Sequence, residues 1–319
     1  PHHHSPTAVT VAPLLKSLFK FTLFTVLAIA VLVGVGILWL RWEYTRVEYD
    51  PDTLEAWRQV AVASAAADAT EPADCAQQYP LTKAWFGALH VHTAVSFDAT
   101  SFGVTSTPDD AYRFARGGTV PLRLRGDPPE FKPPQLTISA PLDFMAVTDH
   151  AETLGEVRLC YAKDQPAYGS LPCRLYRGDV RLPVADHLQS LMRMVSFAIF
   201  GPDRSTRVCG ADGSLCRDTA AAVWQENQRV TEAWLDRSPA CDFTTFHGYE
   251  YSLAANANNL HRNVIFANET VPAEPLSAKD ARQPEHLWQW LDAVCISGDD
   301  RCDAMSIPHN SNWSTGHMF

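Results

Sequence analysis

The hydrophobic pattern separates a short N-terminal part of the chain from the rest. Residues 21–40 form a run of 20 residues without a charge, and as a helix this run would extend about 30 Å, the thickness of a bilayer core. Residues typical of a membrane interface lie at its two ends: Lys16, Lys20, Trp39, Arg41, Trp42 and Tyr44. The pattern predicts a short cytoplasmic tail at residues 1–20 and a single transmembrane anchor at residues 21–40. A buried core helix and a cleaved signal peptide are the alternatives.

The next segment, residues 41–80, is predicted to be a stalk. Residues 63–69 are almost all small, Pro72 follows, and large apolar side chains are few. Such a composition offers little apolar surface for a core. The folded region is therefore predicted to begin near Leu81.

From Leu81 onward, short apolar runs alternate with stretches at helical spacing. Strands are predicted at residues 84–92, 142–148, 243–251, 263–267 and 305–308. One helix is predicted to begin after Thr107, which precedes Pro108 and Asp110 as a capping residue would. Further helices are predicted at residues 185–200, at residues 219–235 and from Pro284. The alternation predicts an α/β fold with a largely parallel sheet or barrel at residues 81–319.

Eight cysteines, all after the apolar run, indicate the compartment of the folded region. Close spacing suggests the pairs Cys160–Cys173, Cys209–Cys216 and Cys295–Cys302, and Cys75–Cys241 remains by elimination. None has C-x-x-C spacing, so a structural zinc ribbon is not favoured. Disulfides persist in oxidising compartments, which predicts a periplasmic or extracellular domain. Eight buried free thiols are the alternative.

The overall charge narrows the choice of partners. The formal net charge is −10, and phosphate backbones need clustered Lys and Arg. The composition therefore predicts that nucleic acid is not a partner.

Histidines and carboxylates recur at the ends of the predicted strands. His90 and His92 would share one face of a strand, so both can bind one metal ion, and Asp98 follows six residues later. Four more segments join an apolar run to such residues: Thr148-Asp149-His150, Gly248-Tyr249-Glu250, Leu260-His261-Arg262 and Pro308-His309-Asn310. In a parallel barrel the carboxyl ends of the strands meet at one mouth. Imidazoles with carboxylates suit zinc, manganese or iron, so the pattern predicts a metal centre.

These segments also resemble a known family. His-x-His with Asp98 behind it, Thr148-Asp149-His150, Gly248-Tyr249-Glu250 and Pro308-His309-Asn310 look like successive motifs of the PHP (polymerase and histidinol phosphatase) superfamily. WFGALHVHTAVSFDA, TPDDAYRFARG, LDFMAVTDHAE and IPHNSNWS resemble more closely the PHP-related family DUF3604. The resemblance implies a distorted (β/α)7 barrel over residues 81–319, two or three zinc, manganese or iron ions, and hydrolysis of phosphoesters.

The resemblance also implies roles for single residues. His90 and His92 would hold one metal ion, Glu250 would bridge two, and His150, His261 and His309 would complete the sites. Asp98 stands where related proteins often place a ligand. Asp149 would support His150 from behind. Arg262 could clamp an anionic substrate or form an ordinary salt bridge.

One departure from the PHP pattern concerns the end of the chain. No Asp-x-His pair follows His309, so the barrel is expected to be incomplete at the C-terminus and to lack its last ligands. The predicted function is a membrane-anchored, extracytoplasmic, metal-dependent hydrolase that attacks a small anionic phosphoester with a metal-activated water. A metallohydrolase of another ester, lactone or amide and a non-catalytic binding module on a membrane anchor are the alternatives.

Overall fold

The computed structural model describes residues 12–45, 62–64, 73–78, 81, 83–180, 188–189, 193, 204–254, 258–267, 270–297, 302–309 and 311–318. The chain divides into two units after Glu48. The first contains α1 (Ala12–Thr45), on which described apolar side chains from Phe21 to Leu38 are exposed. Within the residues described, no helix combines the length and the apolarity needed to cross a membrane. The span at residues 21–40 therefore gains no support here and stays a prediction.

The second unit has a mixed sheet at its centre. Its strands are β1 (Val62–Ser64), β2 (Gly87–Ala88), β3 (Val120–Pro121), β4 (Gln135–Leu136), β5 (Phe144–Ala146), β6 (Thr244–Leu253), β7 (Leu260–Phe266), β8 (Thr270–Pro272) and β9 (Ala304–Pro308). Five of them form one sheet in the order β2-β5-β6-β7-β9. This sheet is curled into a half-barrel.

The sheet corrects the prediction of a largely parallel arrangement. β2, β5 and β6 are parallel, but β7 runs antiparallel to both β6 and β9. The reason is the short connection at residues 254–259, because a parallel crossover needs about a dozen residues or more. Five of the described strands thus form a half-barrel, in agreement with the predicted α/β class, and the incomplete (β/α)7 barrel implied by the resemblance stays a prediction.

Helices surround the sheet. They are α2 (Phe97–Ser101), α3 (Pro108–Ala115), α4 (Leu154–Tyr161), α5 (Leu171–Arg177), α6 (Thr206–Cys209), α7 (Ser214–Trp234) and α8 (Pro284–Leu291). The predicted cap of α3 is confirmed, since Thr107 and Asp110 form a capping box. α7 begins five residues before its predicted start. Most of the helix predicted at residues 185–200 lies outside the described residues.

The main core lies between the helices and one face of β6 and β7. Trp224 of α7 contacts Tyr249 and Phe266 through its ring, and its indole nitrogen donates to the Pro272 carbonyl at 2.8 Å. Trp290 of α8 is buried in the same cluster. The opposite face of these two strands is not part of this hydrophobic cluster.

Four disulfides form in the second unit, in the pairs predicted: Cys75–Cys241, Cys160–Cys173, Cys209–Cys216 and Cys295–Cys302. Disulfides of this number are typical of an oxidising compartment. Parts of the predicted stalk contact the folded region. β1 pairs antiparallel with β8, and the Ala73 amide donates to the Arg237 carbonyl at 3.1 Å. These contacts begin before Leu81, the predicted start of the folded region.

Candidate metal centre

Glu250, at the middle of the centre, reaches it through the alternation of β6. Side chains alternate between the two faces of a strand, and the register pairs Glu250 with Asn263 and Ser252 with His261. These four residues therefore lie on one face, and Tyr249 faces the helices. Glu250 is fully buried, so its charge is shielded from water.

One carboxylate oxygen of Glu250 faces the His-x-His segment. Glu250 Oε2 lies 2.7 Å from His92 Nε2 and 3.2 Å from His90 Nε2. The two imidazoles themselves approach to 3.1 Å between their Nε2 atoms. β2 is shorter than predicted, but the Thr148 amide donates to the Val91 carbonyl at 2.8 Å and keeps the segment beside the strand after β5.

The other oxygen of Glu250 faces three more imidazoles. Glu250 Oε1 lies 2.6 Å from His261 Nδ1, 3.3 Å from His309 Nε2 and 3.8 Å from His150 Nδ1. His261 comes from the start of β7, not from the strand end that was predicted. Because β7 is antiparallel, its start lies at the same end of the sheet as the ends of β6 and β9. We call these five histidines and Glu250 the Glu250 cluster.

Asp98 lies beside this cluster, in the first turn of α2. Its Oδ2 accepts a hydrogen bond from His92 Nδ1 at 2.9 Å and lies 3.6 Å from His150 Nε2. Its Oδ1 accepts from Ser96 Oγ at 2.6 Å and from the Ala99 amide at 2.7 Å. This arrangement fixes the ring of His92 with Nε2 directed at Glu250, as a carboxylate behind a metal-binding histidine does.

Asp149 occupies a different position. Its two carboxylate oxygens accept from the amide of Thr93 at 2.6 Å and from the hydroxyl of Thr93 at 2.9 Å. Burial raises the pKa of Asp149 to about 6. Asp149 therefore holds the loop that follows His92, and the structure gives it no bond to His150.

Arg262 is not brought to the Glu250 cluster. It alternates with His261 and pairs with Tyr251 in the register, so it points to the opposite face of β7. There its Nη1 donates to the Leu260 carbonyl at 2.9 Å, and its guanidinium lies 5.5 Å from the ring centre of Trp288. A role as substrate clamp at this centre has no geometric support.

His247, at the other end of β6, also lies apart from the cluster. It is buried, and its Nε2 lies 2.6 Å from Oε1 of Glu232 on α7. It faces the helices, as Tyr249 does. Glu232 is therefore the hydrogen-bonding partner of this buried histidine, as is usual for a histidine in a protein core.

The electrostatics of the cluster depend on its imidazoles. Burial opposes ionisation of Glu250, but the surrounding histidines, led by His150, hold the pKa of Glu250 well below its usual range. Burial alone would lower the pKa of His92, yet hydrogen bonds with Asp98 and Glu250 raise that pKa to about 10. A proton on His92 thus balances part of the carboxylate charge, and a divalent cation would supply the same balance.

The donor set fits a divalent metal ion. Glu250 Oε1 is buried and makes no hydrogen bond of proper geometry, although His261 Nδ1 lies at 2.6 Å. At Oε1 the imidazole nitrogens therefore approach the carboxylate without hydrogen-bond alignment, as ligands of a shared metal ion do. Two groups have donor atoms within 4.8 Å of one another, His90–Glu250–His309 and His92–His150–Glu250. Nitrogen and oxygen donors suit zinc, manganese or iron.

A third group of this kind does not fit. Glu156, Cys209 and Cys216 also converge, but the two cysteines form a disulfide. No thiolate is therefore available as a ligand.

Comparison with known proteins identifies the family. The model of a family described as a protein of unknown function (DUF3604) matches residues 79–319. This chain belongs to the DUF3604 family. The matched region of this DUF3604 protein contains every residue of the Glu250 cluster. No curated protein and no solved structure matches the chain.

Two residues that support the centre of this DUF3604 protein are absent from the sequence-based prediction. Ser252 Oγ is hydrogen-bonded to His150 Nδ1, and Asn263 Nδ2 donates to the Leu89 carbonyl at 2.9 Å. Both lie two residues from a predicted ligand on the same face of a strand. Period-two spacing from Glu250 and His261 is the signal that could have identified them.

Proposed function

We propose that this DUF3604 protein is a metal-dependent hydrolase of phosphoesters that works outside the cytoplasm. The observation that supports this most directly is Glu250. It is a fully buried carboxylate with five imidazoles at 2.6 to 3.8 Å. Clusters of this composition, with a carboxylate able to give one oxygen to each of two ions, are typical of catalytic metal sites.

The residues that would hold the metal divide between the two oxygens of Glu250. His90 and His92 stand at Oε2, and His150, His261 and His309 stand at Oε1. Divalent ions held there would act as Lewis acids and lower the pKa of a bound water, which supplies a nucleophile near neutral pH. Two or three such ions of zinc, manganese or iron would use this donor set.

The protein's own residues orient this site and limit access to it. Asp98 fixes the ring of His92, and the Asp149–Thr93 bonds fix the loop behind it. The side chain of His90 is 41% exposed and that of Glu250 only 1%. A substrate would therefore approach past His90, with the buried carboxylate below it and away from bulk water.

The choice of phosphoesters rests on the resemblance of the motifs to the PHP superfamily, to which we propose that the family is related. In that superfamily, closely spaced ions would bind the anionic phosphoryl group and stabilise the leaving oxygen. Another hydrolysable ester, lactone or amide is the second candidate for the same chemistry.

The compartment follows from the disulfides, which favour the periplasm or the cell exterior. We further propose that residues 21–40 anchor the chain as a single-pass membrane protein. The support is the run of 20 residues without a charge, with exposed apolar side chains along α1.

The test compares His92→Ala with His286→Ala, a histidine on α8 outside the Glu250 cluster. Elemental mass spectrometry of the purified wild-type chain, supplied with zinc, manganese or iron, is expected to find bound metal. His92→Ala is expected to lose metal and the turnover of aryl phosphates, and His286→Ala to keep both. Wild-type protein that binds no metal would refute the proposal. Metal-loaded protein that cleaves carboxylic esters or lactones but no phosphate would favour the second candidate.

A further inference from the structure

The segment that follows His309 folds back onto the connection between β6 and β7. The Asn259 amide donates to the Trp313 carbonyl at 3.0 Å, and Thr315 Oγ1 is hydrogen-bonded to Asn258 Oδ1. Ser314 is buried, and its hydroxyl donates to the Ser311 carbonyl at 2.9 Å. The backbone of residues 311–318 is therefore fixed in place.

Trp313 presents its side chain to solvent from this fixed backbone. The residue is 77% exposed, and its φ of 55° lies in the left-handed region. Thr315, two residues later, has a φ of 48°. Bulky residues adopt such angles rarely, and they persist only where the surrounding structure imposes them. Two such residues in one short segment indicate that the surrounding structure imposes this backbone conformation at Trp313.

This segment lies at the rim of the Glu250 cluster. Trp313 is four residues after His309, so a fully extended chain would place their Cα atoms at most about 14 Å apart. Asn259, to which Trp313 is bonded, is two residues before His261. The backbone that carries the indole is thus bonded to the chain two residues before His261 and follows His309 by four residues.

A second aromatic ring belongs to the same site. The ring of Phe97, on α2, lies 4.6 Å from that of His150 between centroids. Arg262, the cation predicted at this site, faces the other side of β7. Among the described residues, Phe97 and Trp313 therefore supply aromatic rings near the histidines.

We infer that Trp313 is a substrate-binding residue and that the substrate carries an aryl group next to the hydrolysed bond. The inference rests on the proposed function, because it takes the Glu250 cluster as the place of reaction. A planar ring would stack on the exposed indole, and the anionic group would lie at the histidines. The rigid backbone under Trp313 reduces the entropy that is lost when the ring binds.

The experiment measures selectivity between aryl and alkyl ligands of equal charge. The full chain, loaded with metal, is titrated calorimetrically with benzylphosphonate and with methylphosphonate, and turnover is measured with phenyl phosphate and methyl phosphate. The variants are Trp313→Ala and Trp313→Phe, and the control is Trp288→Ala, a half-exposed tryptophan on the opposite face of β7. Metal content is measured for each variant.

Trp313→Ala is expected to reduce the preference for the aryl ligand about tenfold, the equivalent of about 1.4 kcal/mol. Trp313→Phe is expected to restore most of it, and Trp288→Ala to leave it unchanged. Equal loss for both ligands, or no loss, with metal content retained, would overturn the inference. Wild-type protein that binds neither phosphonate and cleaves neither phosphate would instead overturn the proposed function, which keeps the two failures distinct.

Discussion

Two buried carboxylates, Glu156 and Glu250, have opposite surroundings. Both are fully buried. Glu156, on α4, lies 2.8 Å from the ammonium of Lys279 and 3.4 Å from Arg204 Nη1. In the described part of the chain, the ionisable partners of the Glu250 carboxylate are imidazoles. One carboxylate therefore has permanent cations as partners, and the other has groups that are ordinarily neutral near pH 7.

The partners of a buried carboxylate therefore indicate whether it stabilises the fold or is suited to bind a cation. Burial disfavours the charged form of Glu156, but Lys279 and Arg204 outweigh it and hold its pKa below the usual value. These two cations neutralise the charge of Glu156, and Arg204 Nη2 also donates to Asp280 Oδ2 at 3.0 Å. At Glu250 the balance needs a proton or a metal ion, which makes this carboxylate the one suited to bind a cation from solution.

The largest effect is expected from matched substitutions of the two carboxylates. Glu250→Gln should abolish metal binding, because the amide carries no charge and the imidazoles then have no anion between them. Glu156→Gln should keep the metal but lower the free energy of unfolding by about 3–5 kcal/mol, the cost of leaving buried cations without their partner. Elemental analysis of the metal content and urea unfolding of both variants measure this difference. Full metal content in Glu250→Gln would contradict the role of Glu250 as a metal ligand.

A smaller effect on metal binding is expected from substitution of Asp98, the carboxylate beside the Glu250 cluster. Asp98→Asn should weaken metal binding about 10- to 100-fold, since the charged acceptor that orients the ring of His92 becomes a neutral amide. Competition with a metal chelator measures the change in affinity. Glu226→Gln, which removes an exposed ion pair with Arg158, is the control and should bind metal as the wild type does. An affinity unchanged in Asp98→Asn would show that His92 needs no such orientation.

The smallest expected effect is the dependence on pH of the stability that Glu156 contributes. Because the pKa of Glu156 is lowered on folding, its contribution to stability is fully present above about pH 4.5, its ordinary pKa, and decreases as pH falls through the folded value. The difference in unfolding free energy between wild type and Glu156→Gln should therefore be constant above that pH and shrink below it. Glu250 titrates in both proteins and cancels in the difference. A difference that grows on acidification would contradict the assignment.

Much of the centre could be predicted from sequence because its residues sit next to strong local signals. His90, His92, His150, Glu250, His261 and His309 were all expected to meet, and they do. The cap at Thr107 and the four disulfide pairs were also predicted, since capping depends on residues three positions apart and cysteine spacing limits the choices.

Two of the remaining errors concern strand direction and strand face. His261 was predicted at a strand end, but β7 begins there, because the six residues after β6 allow only a hairpin. Arg262 adjoins His261 in sequence and faces away from it, because neighbouring side chains in a strand alternate. The short β2 and the bond between Asp149 and Thr93 depend on tertiary contacts that no local pattern encodes.

The Cys75–Cys241 disulfide joins residues 166 positions apart and thereby encloses the loop between β3 and β4. Exposed side chains such as Leu122, Leu124 and Phe131 are in that loop, which makes it the kind of segment that proteases cut first. A single cut there would leave two fragments covalently joined through Cys75 and Cys241. The nicked protein would migrate as one chain until the disulfide is reduced and would keep His90 and His92 tethered to Glu250.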